Sequence, residues 1–167
     1  LLNYYGRRAQ DGVGMVVAVG TRPLAGVAPP RLLIIGPLPP PFSGPEVCTA
    51  RLVSSPVLNG RFRVRLLNTS FRKANAEKGR IDIRLVWGYL RFLVGLLGKL
   101  ARERPDVVYQ SIGTNPTGLV RDVTSLALAR AFHVPVVVHL RGGEFRACFD
   151  LLPRLVRGLV GTLLGGA

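Results

Sequence analysis

Short continuous apolar runs alternate with longer stretches of helical periodicity along this chain. Leu32, Leu33, Ile34 and Ile35 stand in succession between Arg31 and Gly36. An apolar run of that length, bounded by a turn signal, predicts a parallel strand buried on both faces. A Gly/Pro-rich stretch follows, and residues 46–58 then read as a helix with Val47, Leu52 and Val53 on its apolar side. Pro56 should end or kink it. Residues 62–68 alternate between apolar and basic positions, the period of a second, half-exposed strand. Residues 70–79 are polar and charged and predict a loop.

Residues 80–104 form the longest helical pattern. Ile81, Leu85, Leu93, Leu96, Leu97 and Leu100 mark one face, and Val86, Trp87, Leu90, Phe92 and Val94 widen it. A helix apolar around so much of its circumference is either a core helix with a solvated basic end or one that lies on an anionic bilayer surface. Residues 107–110 predict a third strand, 111–118 a polar loop, 119–132 an amphipathic helix, and 133–135 a turn containing His133. Residues 136–140 predict a fourth strand, and 147–164 look helical. Strands alternating with helices imply βαβ units: an α/β fold with a Rossmann-like parallel sheet and flanking helices. Ligands in such sheets bind beyond the carboxyl ends of the strands. The glycine-rich stretches 36–44, 113–118 and 142–143 all fall at such ends.

A chain of 167 residues suits one domain, and 48% hydrophobic content is ample for a core. Residues 1–30 have weak periodicity and are expected to be a poorly ordered leader, with the domain spanning 31–167. The only methionine is Met15, and the chain stops soon after an apolar helical pattern, so an incomplete, truncated chain is expected. No run reaches the ~18 uncharged apolar residues of a spanning helix. Cys48 and Cys148 have no metal spacing and suit a reducing cytosol as buried or half-buried residues. The formal net charge of +14 favours anionic partners. Zinc-finger spacing, aromatic RNA-recognition motifs and basic heptad helices are all absent, so nucleic acid is not expected as a partner. An anionic membrane surface fits the charge and the 80–104 pattern better, as a peripheral site on a cytoplasmic protein.

The 36–46 stretch is either a plain turn between strand and helix or an anion cradle, in which Gly44 lets a ligand approach the backbone at a helix N-terminus. Pro37, Pro39, Pro40 and Pro41 lie between Gly36 and Gly44, too long and stiff a connection for a dinucleotide turn. That disfavours a nicotinamide-dependent oxidoreductase. Neither a phosphate-binding G-x-x-x-x-G-K-[ST] loop nor a G-x-S-x-G nucleophile elbow occurs. His133 and His139 do not form a metal pair, and no metal or other cofactor is expected.

Three blocks together resemble the N-terminal domain of GT-B glycosyltransferases of the family-4 retaining type: Ile34-Ile-Gly-Pro-Leu-Pro-Pro-Pro-Phe-Ser-Gly-Pro-Glu46, Arg104-Pro-Asp-Val-Val-Tyr109 and Pro135-Val-Val-Val-His-Leu-Arg-Gly-Gly-Glu-Phe145. The resemblance spans residues 31–164. It implies the N-terminal half of a two-domain fold that transfers a sugar from a nucleotide-sugar donor to a glycan or lipid-linked acceptor, with retention. It places Ser43, Gly44 and Glu46 in the loop nearest the donor diphosphate, with Ser43-Gly44-Pro45 standing where the family often has adjacent glycines. It makes His139 the catalytic-site histidine beside the acceptor or the sugar. Asn68, Ser111, Gly113, Arg141, Gly142 and Gly143 would line the acceptor cleft. The C-terminal donor domain, with its paired glutamates, would be the missing partner. The isolated polypeptide is therefore expected to turn over no nucleotide sugar. The rival reading is a non-catalytic Rossmann-like module that docks on an anionic membrane or on a partner chain.

Overall fold

The computed structural model describes residues 15–19, 28–70, 83–112, 116–140 and Gly158. In chain order the elements are β1 (Met15–Val19), β2 (Arg31–Gly36), α1 (Gly44–Val53), α2 (Pro56–Arg61), β3 (Arg63–Asn68), α3 (Ile83–Gly98), a π-helical turn (Lys99–Glu103), β4 (Val107–Ile112), α4 (Pro116–Ala131) and β5 (Val136–Leu140). The strands form one sheet in the order β1-β5-β4-β2-β3. Four of them are parallel, and β1 adds an antiparallel edge against β5. With helices flanking the sheet this is the α/β, Rossmann-like arrangement expected from the alternation of patterns.

Strand β2 behaves as its sequence demands. Leu33, Ile34 and Ile35 are each 1% exposed, because β3 and β4 pair on either side and helices cover the faces. One face of the sheet carries Leu33, Ile35, Val108, Ile112, Val136 and Val138 into a core with Phe92, Leu96 and Leu100 of α3 and Leu119, Val123 and Leu126 of α4. Tyr89 Oη donates to Thr124 Oγ1 at 2.8 Å and joins the two helices. On the opposite face α1 lies close to β2 at Gly36, where a β-carbon would stand 2.8 Å from Thr49 Oγ1.

Several boundaries differ from expectation, each for a local reason. The expected 46–58 helix starts two residues earlier, at Gly44, and breaks at Pro56 as its sequence indicated; Ser55 caps the second helix by accepting from Leu58 N–H. That helix break follows from the missing proline N–H. The inner face of α1 carries the buried polar residues Glu46 and Thr49, while Val47, Leu52 and Val53 are only half-buried. Helix α3 turns Phe92, Leu96 and Leu100 inward and leaves Val86, Trp87, Leu90, Val94 and Leu97 exposed. Leu97, assigned to the inner face by periodicity, is thus outside. Strand β4 runs two residues further than expected, through Ser111 and Ile112. Strand β1 lies within the 1–30 stretch that was expected to be a leader, and pairs from Met15↔Leu140 to Val19↔Val136. The expected 147–164 helix lies outside the described residues, save Gly158, which is helical.

Helix α4 ends in a Schellman motif. Val134 N–H donates to Ala129 C=O at 2.9 Å and His133 N–H to Arg130 C=O at 2.8 Å, with His133 at φ 56°. That left-handed position suits glycine, and a histidine there pays a steric cost of about 1 kcal/mol. His133 is exposed and is the turn residue its context predicted. The substitution His133→Gly should therefore leave stability unchanged or raise it by up to about 1 kcal/mol in urea unfolding. A clear loss would show that the imidazole makes a contact the turn depends on.

Candidate functional site

The parallel order β5-β4-β2-β3 contains a reversal. From β2 the chain steps outward to β3, then returns past β2 to β4. The connections leaving β2 and β4 therefore lead to helices on opposite faces, α1 and α4, and ligands in open α/β sheets bind at such a switch point. The residues that end these strands are Gly36, Asn68, Ile112 and Leu140.

The connection after β2 is held in place by the end of β3. Thr69 N–H donates to Gly36 C=O at 3.1 Å. Leu38 N–H donates to Asn68 Oδ1 at 3.2 Å and to Ser70 Oγ at 3.0 Å, while Ser70 Oγ–H donates to Leu38 C=O at 2.8 Å. Asn68 Oδ1 also accepts from Ser70 N–H at 2.9 Å. Asn68, expected as a cleft residue, is thus exposed and fixes the loop through its carbonyl oxygen.

Ser43 is the N-cap residue of α1, with Gly44 and Pro45 opening the first turn. The Ser43 hydroxyl donates to the Glu46 carboxylate, and no helix N–H is capped by the serine side chain. Glu46 is only 3% exposed. The expected diphosphate loop is therefore not a plain anion cradle. A carboxylate already occupies the first turn, where it complements the helix dipole; Pro45 supplies no N–H donor. Gly44 is exposed, with open space where a β-carbon would be.

His139 lies on β5, half-buried, opposite Ser111 of β4 in register. Its Nδ1 is 2.6 Å from the Tyr109 hydroxyl, two residues back on β4 and on the same sheet face. That contact orients the imidazole, and it was not anticipated. Ser111 was expected in a loop; it is instead a strand residue, 8% exposed. It reaches the site as the cross-strand neighbour of His139, because pairing with β5 continues to Ile112↔Leu140. Gly113, Arg141, Gly142 and Gly143 lie outside the described residues.

A second polar cluster was invisible in the pattern. Gln110 Nε2 donates to Asp122 C=O at 2.9 Å, and Ser125 Oγ–H donates to Gln110 Oε1 at 2.8 Å, joining β4 to α4 with both side chains buried. Arg121 donates to its neighbour Asp122 at 2.7 and 2.9 Å and to Thr69 C=O at 3.2 Å. Thr69 Oγ1 is buried and has no hydrogen-bond partner among the described residues. Most buried polar atoms are partnered, so this orphan at a strand's carboxyl end is an exception. Its only sequence signal was its position after the alternating run.

Among the described residues no three His, Cys, Asp or Glu side chains gather as a metal site, and no helix is long and apolar enough to cross a membrane. Cys48 is a half-buried free thiol. Compared with protein-family models, with characterised proteins and with solved structures, the chain matches none of them.

Gly36 is the tightest point of this rim. Thr49 Oγ1 is held by its bond to Pro45 C=O at 2.9 Å and cannot swing aside without breaking it. Gly36→Ala should cost roughly 1–3 kcal/mol in chemical denaturation. The double variant Gly36→Ala/Thr49→Ala should recover most of that loss. An undiminished cost in the double variant would place the steric conflict elsewhere.

Proposed function

We propose that this chain is the acceptor-side, N-terminal Rossmann-like domain of a retaining GT-B glycosyltransferase, whose parent enzyme transfers a sugar from a nucleotide-sugar donor to a glycan or lipid-linked acceptor on the cytoplasmic side of a membrane. The observation that carries this reading is the character of the rim at the switch point. Its described hydrogen-bonding groups are mainly uncharged ones, Asn68, Ser111 and Tyr109 beside His139, with Arg121 turned onto Asp122. Such a set suits hydroxyl groups of a sugar better than a bare anion, because each neutral group can donate or accept as the ligand requires. The resemblance in the 34–46, 104–109 and 135–145 blocks points the same way.

In this reading His139 contacts the acceptor and Tyr109 holds the imidazole in position. The 36–46 loop contributes shape and the backbone approach at Gly44. Glu46 keeps Ser43 in place and does not itself meet the donor diphosphate, since a carboxylate there would repel it. Arg141, Gly142 and Gly143 complete the acceptor cleft in the same proposal, and no metal or cofactor is required. The donor's nucleotide is held mainly by a second domain.

One observation favours the second reading, a non-catalytic module on an anionic membrane surface. Trp87 is 65% and Val94 71% exposed on α3, with Leu90 and Leu97 between and beyond them, and Arg91 is exposed on the same helix. An apolar stripe with a cationic flank fits an interfacial helix. It is also compatible with a peripheral glycosyltransferase.

Saturation-transfer NMR against a panel of oligosaccharides separates sugar recognition from its absence. A saccharide should bind the chain, and His139→Ala should weaken it about tenfold, the worth of one lost hydrogen bond, with an unchanged circular-dichroism spectrum. Equal binding by the variant, or no saccharide bound at all, would contradict the proposal.

A further inference from the structure

A cavity of about 530 Å³ opens at the amino ends of β2 and β3, the edge of the sheet opposite the sugar-binding rim proposed above. Its charged lining is Arg31, Arg63, Arg65, Lys99, Arg102 and Glu103. Topology explains the convergence. Parallel pairing sets Arg31 beside Arg63, the first residues of β2 and β3. Alternation returns Arg65 to the same sheet face. The π-helical turn after α3 then brings Lys99 and Arg102 over that face before the chain enters β4.

Five cations thus face one carboxylate. Glu103 is shared between Lys99 at 3.0 Å and Arg65 at 4.0 Å. Arg31 is met from outside the lining by Asp106, which accepts from its Nε at 3.3 Å. Arg63 and Arg102 have no carboxylate partner among the described residues. Fold stability gives no reason to gather them, since clustered like charges repel and raise the energy of the compact state. Arg65 and Arg31 side chains are 67% and 46% exposed, so their packing contribution is small. An anion entering the cavity would turn that repulsion into attraction, and guanidinium groups match phosphate oxygens in pairs. The volume falls in the range of small-molecule sites, about 300–1,000 Å³.

We propose that this amino-end cavity is a binding site for a phosphate-bearing ligand of two or more negative charges, with Arg63 and Arg102 as the principal contacts. It does not depend on the sugar-binding reading, because it uses none of the same residues and lies at the other end of the strands. The same chemistry is presented by a soluble diphosphate and by the headgroup of an anionic phospholipid.

The test is calorimetric titration of the chain with inorganic pyrophosphate at matched ionic strength, paired with flotation on vesicles of phosphatidylcholine with and without phosphatidic acid. The wild-type chain should bind pyrophosphate saturably, float selectively with phosphatidic acid, or do both. Arg63→Gln/Arg102→Gln should weaken the response at least tenfold, whereas Arg51→Gln, exposed on α1 and outside the cavity, should leave it within twofold. Pyrophosphate binding without flotation assigns a soluble ligand; flotation that pyrophosphate displaces assigns a headgroup; both support the site. Removing two like charges should leave the unligated melting temperature of the double variant unchanged or raised, so a loss of binding is not a loss of fold. A double variant that melts lower, a double variant that binds as the wild type does, or a wild-type chain with neither response, would overturn the proposal.

Discussion

Burial of β2 on both faces and along both edges is the constraint from which the rest of this fold follows. Four consecutive apolar residues with no polar face cannot lie at a sheet edge without exposing a side chain or a ladder of backbone groups. Strands β3 and β4 must therefore flank β2, and helices must cover it above and below. Because β3 follows β2 in the chain and β4 comes later, flanking β2 on both sides forces the chain to reverse its direction of winding. That reversal creates the switch point at the carboxyl ends. It also aligns the amino ends of β2 and β3, which gathers Arg31, Arg63 and Arg65. One hydrophobic demand thus produces two chemically unlike rims.

The two rims divide the chemistry of the chain. At the carboxyl ends most polar groups are engaged with one another: Ser70 with Leu38, His139 with Tyr109, Gln110 with Ser125. Charge there is turned inward, as Arg121 against Asp122 and Glu46 against Ser43. At the amino ends, cations exceed acids and all but Lys99 are exposed. A net charge of +14 read over the whole chain hides this separation. Sugar hydroxyls and phosphate oxygens make different demands, and the two proposals assign one of them to each rim.

What the sequence made legible is what local pattern decides. The apolar runs at 32–35 and 136–140 need only their own residues to identify them as strands, and the exposure of Arg63 and Arg65 follows from alternation alone. His133 as a turn residue was also readable, since a Schellman turn uses positions adjacent in the chain. What remained hidden depends on partners far apart in sequence. Ser111 reads as loop because it is polar, yet pairing with β5 extends the strand through it. Tyr109 gave no sign that it orients His139, because the two meet only when β4 and β5 are in register. Glu46 and Thr49 look like surface residues of a helix, yet both are buried, Thr49 because Gly36 has no side chain to hold it off. The basic cavity requires Lys99 and Arg102 to cross over β3, which no window along the chain contains.

In the function proposed here, hydroxyl-bearing ligands bind at the carboxyl ends of the strands. An NMR titration of the amide-labelled chain with a bound oligosaccharide addresses it most directly. Shifts should concentrate at Gly36, Leu38, Asn68, Thr69, Ser111 and His139, with Arg63 and Arg102 undisturbed. Shifts confined to the amino ends, or spread along α3, would contradict the account.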